Sequence, residues 1–160
     1  AVKLPLKIKQ KTTVLKVSGL ANGDSVASWK PGNTKVVKVS GKPNGTCTLA
    51  AGRKKGKTTI TIILKSGLKK KITITVQKAA VKTSKITGMP MNLKLKKNQT
   101  VTLKAAAAPL TSLQKLKYKS SNKKIVTVTS KDVIKAKKKG KAVITVQSGS
   151  KTVKCKLTVK

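Results

Sequence analysis

Three basic runs are the residues with most chemistry to offer: Arg53-Lys54-Lys55-Gly56-Lys57, Lys69-Lys70-Lys71 and Lys135-Ala136-Lys137-Lys138-Lys139-Gly140-Lys141. A lysine ammonium is a compact, hydrated point charge on a flexible stem, so it attracts oxyanions without imposing a geometry on them. Arg53, Lys54, Lys55, Lys57, Lys69, Lys70, Lys71, Lys135, Lys137, Lys138, Lys139 and Lys141 are therefore the candidate contacts for a polyanion. The rest of the chain shares the bias. Thirty-nine of 160 residues are Lys or Arg, only Asp24 and Asp132 oppose them, and the net charge is +37. Such a one-sign surface repels itself and weakens the compact state. Lysine does protect sheet edges, but glutamate would solubilise a strand equally well, so edge protection leaves the scarcity of acid unexplained.

Other chemistry is poorly supplied. The chain has no histidine to act as a base, and its two aspartates lie in different halves, so no carboxylate pair is expected. A calcium site needs several carboxylates. Cys47 and Cys155 are about a hundred residues apart and lack the paired spacing of a zinc site, so they are expected to be reduced, buried thiols. No enzymatic activity, metal or cofactor is expected. Base-specific DNA reading favours arginine, and there is one; single-strand binding favours aromatic platforms, and Trp29 and Tyr118 are the only rings. Nucleic acid is thus expected to bind only nonspecifically, by charge. No apolar run reaches the ~20 residues of a membrane span. The start at Ala1 reads as an excised, monomeric piece of a longer protein, with signal and anchor outside this segment.

The elements that must carry the lysines are strands. Leu4, Leu6 and Ile8 alternate with Pro5 and Lys7, Ile72, Ile74 and Val76 with Thr73 and Thr75, and Val153, Cys155, Leu157 and Val159 with Lys154, Lys156 and Thr158. Period-two alternation predicts strands with one face in a core and one in water. Asn22-Gly23, Pro31-Gly32-Asn33, Pro43-Asn44-Gly45, Ser66-Gly67 and Ser148-Gly149 supply turns at short intervals.

A long repeat is also present. Trp29 to Ser40 aligns with Tyr118 to Thr129, and Lys54 to Ile62 with Lys138 to Val146. The first copy holds five extra residues between these blocks, most simply in the Gly41–Gly45 loop. A period above about eighty suits a duplicated small domain, not a solenoid unit. The expected domains are residues 1–78, with a shortened N-terminal part, and 79–160. The first contains 17 lysines, Arg53 and Asp24, for +17; the second contains 21 lysines and Asp132, for +20. The bias belongs to the whole segment.

The second copy resembles the group 2 bacterial Ig-like domains of intimin- and invasin-like surface proteins. The resemblance lies in Leu95 to Leu103, in Pro109, in Tyr118-Lys119-Ser120-Ser121-Asn122 with Val126-Thr127-Val128, in Ile134 to Ile144, and in Cys155 of the last strand. The first copy departs in a compressed start, Leu15 to Leu20, and in lacking a counterpart to the Pro109 loop. The resemblance implies an all-β fold of two tandem immunoglobulin-like antiparallel β-sandwiches. It further implies a non-enzymatic stalk or adhesion module at the bacterial cell surface. Joined to the charge, it gives the expectation of electrostatic binding to wall polymers or acidic glycans. Nonspecific nucleic-acid binding and a purely structural spacer remain the alternatives.

Overall fold

The computed structural model describes residues 2–160, and among them there is no helix. The chain divides into two compact units between Val81 and Lys82. Each has its own apolar core.

The first unit contains β1 (Val2–Lys7), β2 (Lys11–Thr12), β3 (Val26–Pro31), β4 (Val37–Gly41), β5 (Cys47–Ala51), β6 (Gly56–Leu64) and β7 (Lys69–Gln77). They form a four-stranded sheet in the order β1-β7-β6-β3 and a three-stranded sheet in the order β2-β5-β4. Leu4, Leu6, Ile60, Ile62, Ile72, Ile74 and Val76 from the first sheet pack with Val37, Cys47, Leu49 and Ala51 from the second. Each fully buried aliphatic side chain contributes about 1.5–3 kcal/mol relative to exposure, so this interlayer is what holds the two sheets together.

The second unit contains β8 (Lys85–Thr87), β9 (Asn92–Leu95), β10 (Thr100–Thr102), β11 (Ala106–Ala108), β12 (Lys117–Ser120), β13 (Val126–Val128), β14 (Val133–Ala136), β15 (Gly140–Ser148) and β16 (Lys151–Val159). Its four-stranded sheet runs β12-β15-β16-β9, its three-stranded sheet runs β10-β14-β13, and β8 and β11 form a separate pair. The core joins Leu95, Ile144, Val146, Cys155, Leu157 and Val159 to Val126, Ile134 and Ala136 of the facing sheet. Tyr118 and, in the other unit, Trp29 are half-buried against their cores, and the Trp29 indole N–H donates to the Lys42 carbonyl at 3.4 Å.

Among the described residues all strand pairings are antiparallel except two. β1 runs parallel to β7 over Val2–Lys7, and β9 runs parallel to β16 over Asn92–Leu95.

These pairings correct the reading of the first copy's start. Leu6 is placed beside Val76 as Leu95 is beside Val159. The following turns also match. Lys9 and Asn98 both have positive φ, 64° and 65°. The Gln10 and Gln99 side chains accept from the Lys7 and Lys96 amides at 2.8 and 2.9 Å. From β1 to β3 the first unit therefore keeps the spacing that the second has from β9 to β12, with Lys7 to Lys11 where Lys96 to Thr100 stand. It was obscured because lysines replace the residues that mark the turn in the second copy. The extra residues are also distributed differently. The hairpin joining partners Val37 and Ala51 is four residues longer than the one joining Val126 and Ala136, and the turn into β6 takes the fifth.

Candidate polyanion-binding faces

Register decides where each lysine points, because successive side chains of a strand alternate faces and directly paired residues share one. On the four-stranded sheet of the first unit the core takes Ile60, Ile62, Ile72, Ile74 and Val76. Their neighbours face outward. Lys30 pairs with Thr61 and Thr61 with Lys71; Lys57 pairs with Thr75; Lys3 pairs with Thr73 and Lys7 with Gln77; Lys69 pairs with Ile63. Among the described residues this face thus carries six exposed lysines, interspersed with Thr59, Thr61, Thr73 and Thr75.

The second unit repeats the arrangement. Lys119 pairs with Thr145 and Thr145 with Lys154; Lys141 pairs with Thr158 and Thr158 with Lys94; Lys156 pairs with Asn92 and Val143; Lys117 pairs with Gln147. Again six exposed lysines share one sheet face. The row Lys30–Thr61–Lys71 is the structural counterpart of Lys119–Thr145–Lys154, and Lys57 beside Thr75 is the counterpart of Lys141 beside Thr158. A shallow hollow of about 560 Å³ lies over the second face, lined by Lys94, Lys141, Lys156, Asn92, Val143 and Thr158 among others.

Neither aspartate reaches these faces. Asp24 lies in the β2–β3 loop, where its carboxylate accepts from the Ser25 amide at 2.8 Å and the Ser66 hydroxyl at 2.8 Å. The Ser66 bond leads in holding its carboxyl below the ordinary range. Asp132, with φ of 64°, directly precedes β14. Burial first, and then the Asp132 carboxylate, push the Tyr118 phenol upward. Both aromatic rings are directed away from the lysine faces, Trp29 paired with Ile62 and Tyr118 with Val146 on the core side.

The three runs singled out in the sequence are dispersed by the fold. Arg53, Lys54 and Lys55 occupy the β5–β6 turn, gathered with Lys35 and Lys38 around a hollow of about 640 Å³. Lys57 leaves this turn for the outer face of the large sheet. Lys69 and Lys71 join that face from the far end of the β6–β7 hairpin, while Lys70 pairs with Ile62 on the opposite side of its strand. The third run is split most. Lys135 pairs with Thr100 and Thr127 on the outside of the three-stranded sheet, Lys137, Lys138 and Lys139 form the turn, and Lys141 lies on the other sheet's outer face. The turn is fixed by Lys137 N–H donating to the Ile125 carbonyl at 2.7 Å, as Gly52 N–H donates to Val36 in the first unit at 2.8 Å.

Lys3, Lys7, Lys30, Lys94, Lys117, Lys119, Lys154 and Lys156 complete the faces and were not among the sequence candidates. Each is an isolated lysine in an alternating strand. The signal that could have found them is the period-two spacing itself, as in Lys154 and Lys156, read together with strand pairing.

The described residues hold no group of three or more His, Cys, Asp and Glu that could bind a metal ion, and no helix long and apolar enough to cross a membrane. Cys47 and Cys155 are free and buried.

Both units are all-β, each with a four-stranded sheet packed on a three-stranded one. Residues 80–159, half of the chain, match the bacterial Ig-like domain (group 2), and the chain belongs to that family. The chain is also similar to the kappa-carrageenase of Pseudoalteromonas carrageenovora, with 44% identity over 66 residues, which is 41% of this chain and 17% of the enzyme. It therefore spans only a small part of that relative. Among solved structures, the S-layer protein SbsC domains 4 and 5 align over 85% of this chain and 70% of theirs, with 19% identity and a TM-score of 0.46. Drosophila N-cadherin EC1-3 aligns over 99% of this chain and 64% of its own, with 9% identity and a TM-score of 0.47.

Proposed function

We propose that this chain is a non-enzymatic module of a bacterial extracellular or cell-surface protein, and that its lysines hold an anionic polymer there by electrostatic attraction. In this reading both units are group 2 Ig-like domains in tandem, the first recognisable through the Lys7–Gln10 turn it shares with Lys96–Gln99. The observation that carries the binding role is the repeated sheet face, six lysines in each unit with no carboxylate among them. Charge merely scattered for solubility would not need to exclude acids from nearly the whole chain, which has only Asp24 and Asp132. The similarity to part of a carrageenase supports a position outside the cell beside polysaccharide. Nucleic acid is the weaker candidate, since neither face offers arginine or an exposed ring.

The test is a salt titration of binding to kappa-carrageenan, teichoic acid and duplex DNA. Counterion release predicts that log affinity falls linearly with log salt for each polymer that binds. Absence of binding to all three at physiological salt would overturn the proposal and leave a structural spacer. A salt-insensitive preference for one ligand would indicate a shaped pocket in place of a charged face.

A further inference from the structure

We infer that the outer face of the four-stranded sheet in each unit is a binding platform for a linear sulfated polysaccharide, centred on Lys30, Lys57 and Lys71 in one unit and Lys119, Lys141 and Lys154 in the other. This rests on the polyanion-binding role proposed for the chain and names where on the molecule, and with what class of polymer, that binding occurs.

Three features point to it. First, these six lysines stand at the same register positions within the paired strands of the two units. Lys7 is also matched, by Lys96 at the following turn, whereas Lys3 stands where the second unit has Asn92, and Lys117 where the first has Ser28. The shared lysines thus form a pattern that drift elsewhere on the same faces has not disturbed. Second, the pattern is geometrically regular. Lys30 and Lys71 flank β6, so their backbones lie two strand spacings apart, about 9.6 Å. Lys57 is four residues along β6 from Thr61, about 13 Å at strand rise. Flexible lysine stems on such a grid can meet charges distributed along one extended chain. Third, the ground between the ammonium groups is hydroxylated. Thr61 lies between Lys30 and Lys71 and Thr75 beside Lys57, matched by Thr145 and Thr158 in the second unit. A threonine hydroxyl both donates and accepts, which suits the hydroxyl and ether oxygens that a sugar chain carries between its sulfate groups. A polymer recognised by its bases would require stacking surfaces, and both rings of this chain lie on the core side.

The experiment compares two variants of equal charge. One replaces Lys30, Lys57, Lys71, Lys119, Lys141 and Lys154 by Gln. The other replaces Lys35, Lys54, Lys55, Lys137, Lys138 and Lys139 by Gln. The probe is a sulfated galactan, with polyphosphate and duplex DNA in parallel. The face variant is expected to bind the galactan at least about tenfold more weakly than the turn variant at the same salt. Its salt slope should also fall further, by about one unit for each lysine that no longer meets a sulfate. Amine labelling of the unmutated protein gives an independent reading that does not depend on the variants folding. Bound galactan should protect the six face lysines more than the six turn lysines.

Equal losses in the two variants with uniform protection would overturn the platform while leaving general polyanion binding intact. Stronger face-dependent binding of polyphosphate or DNA than of the galactan would overturn the choice of polymer. No binding of any probe by the unmutated protein would instead overturn the polyanion-binding role itself.

Discussion

Lys9 and Asn98 are the same turn residue in two units, and only one of them is suited to it. Both hold φ near 65°, a left-handed conformation that costs most L-residues roughly 1–2 kcal/mol and that asparagine tolerates. Lys9→Asn is therefore expected to stabilise the first unit by about 0.5–1 kcal/mol, seen as a higher urea midpoint by Trp29 fluorescence, while Lys9→Gln, which removes only the charge, gains less. Equal shifts from the two changes would mean that charge, not backbone strain, governs the site. Cys47 makes a second prediction at this scale. Its thiol is buried, donates to the Leu15 carbonyl at 3.4 Å, and is pushed by burial up to about 11. A folded pKa above the unfolded value of about 8.5 favours folding fully below that value and loses the benefit as pH rises from there through about 11. The stability difference between the wild type and Cys47→Ala should accordingly shrink across that window, measured as urea midpoints. A constant difference would show that burial does not perturb the thiol.

At the scale of elements, the longer β4–β5 hairpin of the first unit makes a contact that the second unit does not have. In the second unit Ala106–Ala108 is hydrogen-bonded to Lys85–Thr87. In the first unit the hairpin tip meets the corresponding segment: Val17 N–H donates to the Gly45 carbonyl at 2.8 Å, and Lys16 bridges to Thr46. Gly45 has φ of 83°, and a Cβ there would lie 2.7 Å from the Val17 carbonyl oxygen. Gly45→Ala should destabilise this unit by about 1–3 kcal/mol. Gly67→Ala, at a φ of 86° with open space around it, should cost less, as urea unfolding would reveal; equal costs would show that the tip contact contributes nothing. This contact was illegible in the sequence because it depends on long-range pairing of Lys16 and Val17 with Gly45 and Thr46. Strand identity was legible wherever Val, Ile and Leu alternated with Lys and Thr. The lysine runs stood out by adjacency in sequence and misled because the chain changes sheets within them, so Lys135 on β14 and Lys141 on β15 lie on the outer faces of different sheets. The Lys30–Thr61–Lys71 row joins three strands and has no local signature.

For the molecule as a whole, separate cores and shared charge make different demands. Ile144 is fully buried in the second unit, and Ile144→Ala should cost that unit about 2–5 kcal/mol. Trp29, the only tryptophan, belongs to the first core, so its unfolding transition is expected to stay in place while a Tyr118 signal moves. Movement of both together would show that the units unfold as one. The +37 charge acts on both. Raising ionic strength from about 0.01 to 0.15 M shortens the screening length from about 30 to 8 Å, and Tm should rise as repulsion is relieved. An unchanged Tm would mean that the lysines are already spaced widely enough not to interact. The two parallel pairings add a mechanical consequence. Where the first long strand of a unit lies parallel to its last, tension applied to the two ends slides the strands lengthwise, so their hydrogen bonds are loaded together and not peeled one at a time. The β1–β7 clamp has six residue pairs in register and the β9–β16 clamp four. A chain anchored at one end and dragged from the other would thus resist in shear, with the shorter clamp the first to give.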